Sequence, residues 1–244
     1  MKRMLIVGGA NGIGLSIATE MAKRNDCEKI YIVDRSKPID NFKGDKFEFH
    51  QFDLRNTDYT FFKQFNDIDS LMITAGFGRL ALFKDLDDKY IIDSINVNTT
   101  AVIRIIHSFY DLISQKDDFY CGIMVSIAGF MSSPFFSVYG ASKAALRIFI
   151  ESINVELAKS QTSNRILNVS PGFIKGTSFY NGKTDLDLTK TLAIDIIKHL
   201  QNKDDLFIPQ YNEIFKDVLD RYHKDFRAEG IHSYEYKEKS GRLN

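Results

Sequence analysis

The sequence predicts an α/β fold: one doubly wound, mostly parallel sheet of Rossmann-like type, in a single domain with a helical extension at its C-terminus. Three observations predict it. Short apolar runs ending near Val7, Val33, Phe52, Thr74, Val125 and Val169 alternate with helical patterns, as successive βαβ units do. A glycine-rich turn joins the first run to the first helix. No Pro/Gly/Ser-rich linker, internal repeat or low-complexity tract interrupts the 244 residues. Residues 1–244 therefore read as one domain, with a core to about residue 209 and a helix and tail over 210–244.

Arg3 to Val7 is the first strand, and Gly8-Gly9-Ala10-Asn11-Gly12-Ile13-Gly14 leads from it into a helix pattern over Leu15 to Lys23. Glycine permits a tight turn and close approach of the backbone to a pyrophosphate, while the helix start offers unpaired N–H groups and a positive dipole end. The second strand, Lys29 to Val33, ends at Asp34, about 20 residues beyond the turn, where a carboxylate hydrogen-bonds an adenosine ribose and repels a 2′-phosphate. Arg35 is the type of residue that holds such a phosphate, and Asp34 to Pro38 also suits a plain solvated turn. These readings stay open at this point.

Tyr90 to Ser114 is a long helical pattern with Ile91, Ile95, Val102, Ile105, Ile106 and Phe109 at helical spacings and Asn96 in its first half. An asparagine there disturbs the helix and reads either as a satisfied core amide or as a kink with a role. Cys121 to Val125 is a buried strand that delivers Ser126 to its carboxyl end, where open α/β sheets place ligands. Tyr139 and Lys143 follow at i and i+4 in Tyr139-Gly140-Ala141-Ser142-Lys143, on one face of a helix over Ser137 to Ala158. An ammonium so placed is expected to pull the tyrosine pKa down from about 10 towards neutrality and make it a general acid/base.

Leu206 to Pro209 is the last strand candidate. Beyond it, Glu213 to Arg227 carries Ile214, Phe215, Val218, Leu219, Tyr222 and Phe226 at helical spacing, an amphipathic helix that must cover something. Glu229 to Asn244 is charged and aromatic and reads as an arm with a frayed end.

Composition sets bounds. At 44% hydrophobic and 26% charged the chain buries a full core. Lys+Arg and Asp+Glu are equal at 32 each, which argues against nucleic acid or an anionic membrane as partner. No apolar run approaches a membrane span and Met1-Lys2-Arg3-Met4 leads straight into a strand, so a cytoplasmic protein is expected. Cys27 and Cys121 suit reduced, packed thiols, and no metal-ligand set is assigned.

Together these residues resemble the short-chain dehydrogenase/reductases in their short, single-domain form, from about Lys2 to about Thr177. The family's Thr-Gly-x-x-x-Gly-x-Gly turn is matched by Val7 to Gly14, its adenine-contacting Asp by Asp53 in Phe52-Asp53-Leu54, and its Asn-Asn-Ala-Gly by Ile73-Thr74-Ala75-Gly76. The catalytic Asn, Ser, Tyr and Lys fall on Asn96, Ser126, Tyr139 and Lys143, and the Pro-Gly after the sixth strand on Pro171-Gly172, with Ile174 at the nicotinamide amide. Val7 stands for the usual threonine, Ile73-Thr74 for the asparagine pair that ties the central strand, and Gly176 for a threonine that arrives one residue late as Thr177.

The resemblance implies hydride exchange between a nicotinamide cofactor and a secondary alcohol or carbonyl, with Ser126 and Tyr139 on the substrate oxygen and Lys143 on the nicotinamide ribose. It implies a cofactor site at Gly8, Asn11, Gly12, Ile13, Gly14, Asp34, Arg35, Asp53, Leu54, Ala75, Gly76, Pro171, Gly172 and Ile174, with NAD favoured by Asp34 and by the uncharged Asn11, and NADP second. The loop after Pro171, through Phe173, Thr177, Phe179 and Tyr180 to Asp187, corresponds to the family's substrate lid, opposite Phe130, Met131, Phe135 and Phe136. A moderately apolar alcohol or ketone is the expected substrate. A homodimer through the two long helices is expected, or a tetramer if the added C-terminal helix leaves the last strand's edge clear. The alternatives are a cofactor sensor without turnover and an NADP-dependent carbonyl reductase.

Overall fold

Seven strands form one parallel sheet in the order β3-β2-β1-β4-β5-β6-β7 in a computed structural model that describes residues 1–38, 44–177, 179 and 182–240. They are β1 (Arg3–Val7), β2 (Lys29–Asp34), β3 (Phe47–Gln51), β4 (Ser70–Ile73), β5 (Tyr120–Met124), β6 (Ile166–Val169) and β7 (Leu206–Phe207). The strand order reverses between β1 and β4. Helices cover both faces: α1 (Gly12–Ala22), α2 (Asp88–Ile95), α3 (Ala101–Ser108), α4 (Tyr110–Ser114), α5 (Ser137–Lys159) and α6 (Leu186–Asn202), followed by α7 (Lys216–Lys224) and α8 (Phe226–Lys239).

The strand pleat explains the two cores. Successive side chains of β1 go to opposite faces. Leu5 and Val7 meet Ile105, Leu146 and Ile150 from α3 and α5, while Met4 and Ile6 meet Ile17 and Met21 of α1 and Ile196 and Leu200 of α6. Burial on both faces is why these strands read as apolar runs.

Three expectations are corrected. Between β3 and β4 the chain makes a short 3-10 turn at Thr60–Gln64, not an α-helix, and Phe61, Phe62 and Phe65 fill that face, Phe61 edge-on to both Phe62 and Phe65. The long helix over Tyr90 to Ser114 is α2, a π-helical turn at Asn96–Thr100, then α3 and α4. The extension is two helices, because Asp225 leaves helical geometry (φ −153) and caps α8 by accepting from Arg227 N and Ala228 N. The tail at 241–244 lies outside the described residues. No described helix is long and apolar enough to cross a membrane.

Candidate active site

Ser126 and Tyr139 come together because the chain leaving β5 turns directly onto α5. Val125 N still donates to Val169 O (2.7 Å), and Ser126 then caps a 3-10 turn at Ile127–Gly129 by accepting from Ala128 N (3.2 Å). Gly129 lets that turn lie on the helix, since a Cβ there would stand 2.9 Å from the Lys143 carbonyl. The Ser126 side chain acts on the Tyr139 phenol and favours its ionised form. Lys143, one helical turn on and buried, donates to Met124 O (2.9 Å) at the end of β5.

Burial and not the ammonium governs the phenol here. Tyr139 is pushed up to about 12 by desolvation, with Ser126 opposing and Tyr90 adding to the rise. Lys143 is drawn down to about 8 by the same burial. The lowering of the tyrosine expected from the i, i+4 spacing is thus reversed in this structure. The ammonium lies 5.8 Å from the ring centroid and spends a hydrogen bond on the β5 carbonyl.

It is Asn98, and not the expected Asn96, that lies beside Lys143 and the chain leaving β4. Asn96 is exposed at the start of the π-helical turn. Asn98 is fully buried, accepts from Phe77 N (3.0 Å) and donates to Phe77 O (2.8 Å) and Ser142 Oγ (3.2 Å). Beside it, Gly76 leaves the room a side chain would take: a Cβ there would lie 3.2 Å from Asn98 Oδ1 and 3.3 Å from Lys143 Nζ. The wider π turn adds a residue to the helix and rotates the following positions, so α-helical spacing could not single out the second asparagine in Asn96-Val97-Asn98.

The glycine turn meets the chain leaving β4. Gly8 (φ +89) runs so close to Ala75 that a Cβ would strike its amide, and a Cβ at Gly14 would strike Gly8 O and Thr74 Oγ1. Thr74 Oγ1 donates to Gly8 O (2.9 Å), so this threonine supplies the tie that the absent asparagine pair would make. Asn11 precedes α1 in extended backbone, and Ile13 is buried behind the turn. Asp34 accepts from Ala10 N (3.1 Å) and Ser36 N (3.0 Å), which fixes its carboxylate beside the turn, next to exposed Arg35. Asp53, ahead of buried Leu54, is held below the usual carboxylate range chiefly by its hydrogen bonds to Arg55.

The chain after β6 closes over this turn. Pro171 is buried, and Ile127 N donates to its carbonyl (3.0 Å). Gly172 is covered by the Phe215 ring from the C-terminal extension, and Ile174 packs against the α1/α6 core. Gly176 takes φ +75 and swings Thr177 over Gly12, where it would stand 3.6 Å from a Cβ. The late threonine therefore still reaches the glycine turn. Thr184, which no sequence pattern singles out, accepts from Gly12 N through its Oγ1 (3.1 Å). Phe179 packs on Tyr139 (5.4 Å between centroids), while Tyr180 lies outside the described residues.

The donor set fits a dinucleotide: helix-start amides for a pyrophosphate, a fixed carboxylate at the end of β2 for a ribose, and a buried cation beside the tyrosine. Residues 2–186 match the family described as short chain dehydrogenase. The chain belongs to the short-chain dehydrogenase family. It is 27% identical over 209 residues to an uncharacterised oxidoreductase of Saccharomyces cerevisiae, covering 79% of this chain and 65% of that protein. It is 24% identical over 204 residues to a 3-oxoacyl-[acyl-carrier-protein] reductase of Chlamydia trachomatis, covering 78% and 77%. A short chain dehydrogenase from Burkholderia cenocepacia, solved in complex with NADP, superposes with a TM-score of 0.77 at 18% identity over 96% of this chain and 99% of that one. The match with it is one of fold.

Proposed function

We propose that this member of the family is a nicotinamide-dependent oxidoreductase that interconverts a secondary alcohol and a carbonyl, with Tyr139 as general acid/base. The observation that carries this reading is the Ser126 side chain acting on the buried Tyr139 phenol at the carboxyl end of β5, one helical turn from buried Lys143, whose Nζ donates to Met124 O. When bound, the cofactor supplies or accepts the hydride. Ser126 and Tyr139 hold the substrate oxygen, and the Tyr139 hydroxyl gives it a proton in reduction or takes one in oxidation. Lys143 binds the nicotinamide ribose, and Asn98 holds Phe77 and the neighbouring backbone in place for that group. A sensor without turnover has no need of this pair of hydroxyls on a buried lysine.

NAD is the preferred cofactor in this reading, because the Asp34 carboxylate, held at the end of β2 by Ala10 N and Ser36 N, would repel a 2′-phosphate; Arg35 favours NADP as the second choice. Gly8, Asn11, Gly12, Ile13 and Gly14 hold the pyrophosphate side, Asp53 and Leu54 the adenine, and Ala75, Gly76, Pro171, Gly172 and Ile174 the nicotinamide half. The substrate is a moderately apolar alcohol or ketone, since Leu80, Phe136 and Phe179 surround Tyr139. The working form is a homodimer. Fluorescence titration with NADH and NADPH, followed by a panel of alcohols and ketones with the one that binds, tests the reading. Tighter NADH binding that narrows in Asp34→Ala is expected; tighter NADPH binding by the unmodified protein would reassign the site to Arg35, and binding of neither would overturn the function.

A further inference from the structure

Helix α8 lies outside the family match over residues 2–186, and it carries no apolar stripe to account for its position. Glu229 is its one buried residue, paired with Arg221 of α7 (2.7 Å). What it grips is the corner between the turn after β5 and the start of α5. Lys237 Nζ donates to Ser133 Oγ (2.8 Å) and Pro134 O (2.9 Å) and stands 5.7 Å from the centre of the Phe136 ring. Tyr234 lies on Phe135, with ring centroids 4.5 Å apart. One lysine thus spans Ser133 to Phe136, and a tyrosine one turn back in α8 covers the residue between.

Phe135 is strained. It has φ +66 and is only 7% exposed, a left-handed backbone under a bulky side chain. Such a conformation persists only where its surroundings over-determine it. Those surroundings include the Tyr234 ring, the apolar cluster with Leu80, Ala128 and Tyr139, and the backbone bond Ala81 N to Phe135 O (3.0 Å), while Lys237 pins the residues on either side. The strain has a direct consequence for the site. Phe136 places its ring 5.2 Å from that of Tyr139, and its carbonyl accepts from Gly140 N (2.7 Å), so the corner and the first turn of α5 move together.

We propose that Lys237 and Tyr234 are positioning residues: they hold the Phe135–Phe136 corner against Tyr139 and so set the width available to a carbonyl substrate beside the phenol. This rests on the reading of Tyr139 as the proton donor. A looser corner lets the Phe136 ring withdraw, which admits a wider ketone and holds a narrow one less well. Arginine at 237 keeps a cation and donors at the corner; methionine keeps only the stem.

Two measurements on Lys237→Met, Lys237→Arg and Tyr234→Leu decide it. The first is hydrogen exchange over residues 130–140 and 226–239. The second is kcat and KM for cyclohexanone and for 2-acetylnaphthalene with the bound nicotinamide cofactor. Lys237→Met should raise exchange at 133–140 by tenfold or more and shift the ratio of kcat/KM for the two ketones at least fivefold towards the wide one, with cofactor affinity within twofold. Lys237→Arg should restore both, and Tyr234→Leu should reproduce the shift even if loss of Lys237 frees α8 altogether. Unchanged exchange at 133–140 in both Lys237→Met and Tyr234→Leu, or faster exchange with an unchanged ketone ratio, would overturn the proposal. If the unmodified protein reduces neither ketone, the positioning of substrate falls; no reduction anywhere in the wider alcohol and ketone panel is the separate result that removes the oxidoreductase reading itself.

Discussion

Two buried groups, an amide and an ammonium, distinguish roles that their residue types alone do not. Asn98 satisfies both backbone groups of Phe77, so Asn98→Ala leaves a half-buried donor and acceptor unpaired and should cost about 1–3 kcal/mol by denaturant unfolding. Asn96→Ala, at an exposed position, should stay within about 0.5 kcal/mol of the parent. Equal losses would restore Asn96 to consideration. Lys143 is drawn from 10.5 to about 8 by burial, so the folded state binds fewer protons than the unfolded state between these values. Stability due to this group is greatest above the unfolded value and is lost as pH falls towards 8. At about 1.4 kcal/mol per unit this is of order 3 kcal/mol. Above pH 10 the trend reverses, since Tyr59 and Tyr139 are pushed up to about 12 by burial and the unfolded state sheds those protons first. Unfolding curves between pH 8 and 10 should therefore show rising stability in the parent and a flatter profile in Lys143→Met; parallel profiles would contradict the buried-cation account.

The segment between β6 and α6 gives the clearest prediction at the scale of elements. It is closed at its base by Asp185 N donating to Gly176 O (3.0 Å), and it carries Thr184 Oγ1 onto Gly12 N. That amide belongs to the helix start assigned to the pyrophosphate, so phosphate and threonine compete for it. Thr184→Val should tighten NADH binding about two- to tenfold, the range one net hydrogen bond allows; weaker binding would mean that the hydroxyl helps hold the cofactor. Most elements were legible in the sequence. Strands buried on both faces stand out as Met4-Leu5-Ile6-Val7 or Ile30-Tyr31-Ile32-Val33, and the glycine turn and Tyr139/Lys143 pair carry their chemistry in their spacing. The misses share a physical cause. A π turn at Asn96–Thr100, a left-handed Gly176 and a non-helical Asp225 each change the phase of the chain, and one-residue phase changes leave no trace in a periodicity count. The gripping contacts of Lys237 and the Thr184 bond join residues 103 and 172 positions apart, beyond the reach of local pattern.

For the whole molecule, the outward face of the helical layer matters most. Ile148 and Val155 stand seven residues apart on α5 and are 52% and 70% exposed, and Ile92 on α2 is 58% exposed. An apolar stripe of this kind is expected to be covered by a second copy of the chain. Light scattering across a dilution series should give a dimer mass at micromolar concentration, and Ile148→Glu with Val155→Glu should give a monomer. A monomeric parent would end the dimer proposal. The C-terminal extension packs on its own chain beside the candidate site, through Phe215 in the turn before α7 on Gly172 and Tyr234 of α8 on Phe135.

The most direct test of the central claim is single-turnover and steady-state reduction by Tyr139→Phe, with cofactor binding measured on the same sample. General acid catalysis of this kind contributes about 10²–10⁴-fold. The predicted result is a loss of turnover of that size, with NADH affinity within about twofold of the parent and the fold retained. Undiminished turnover of an identified ketone by Tyr139→Phe would contradict the account at its centre.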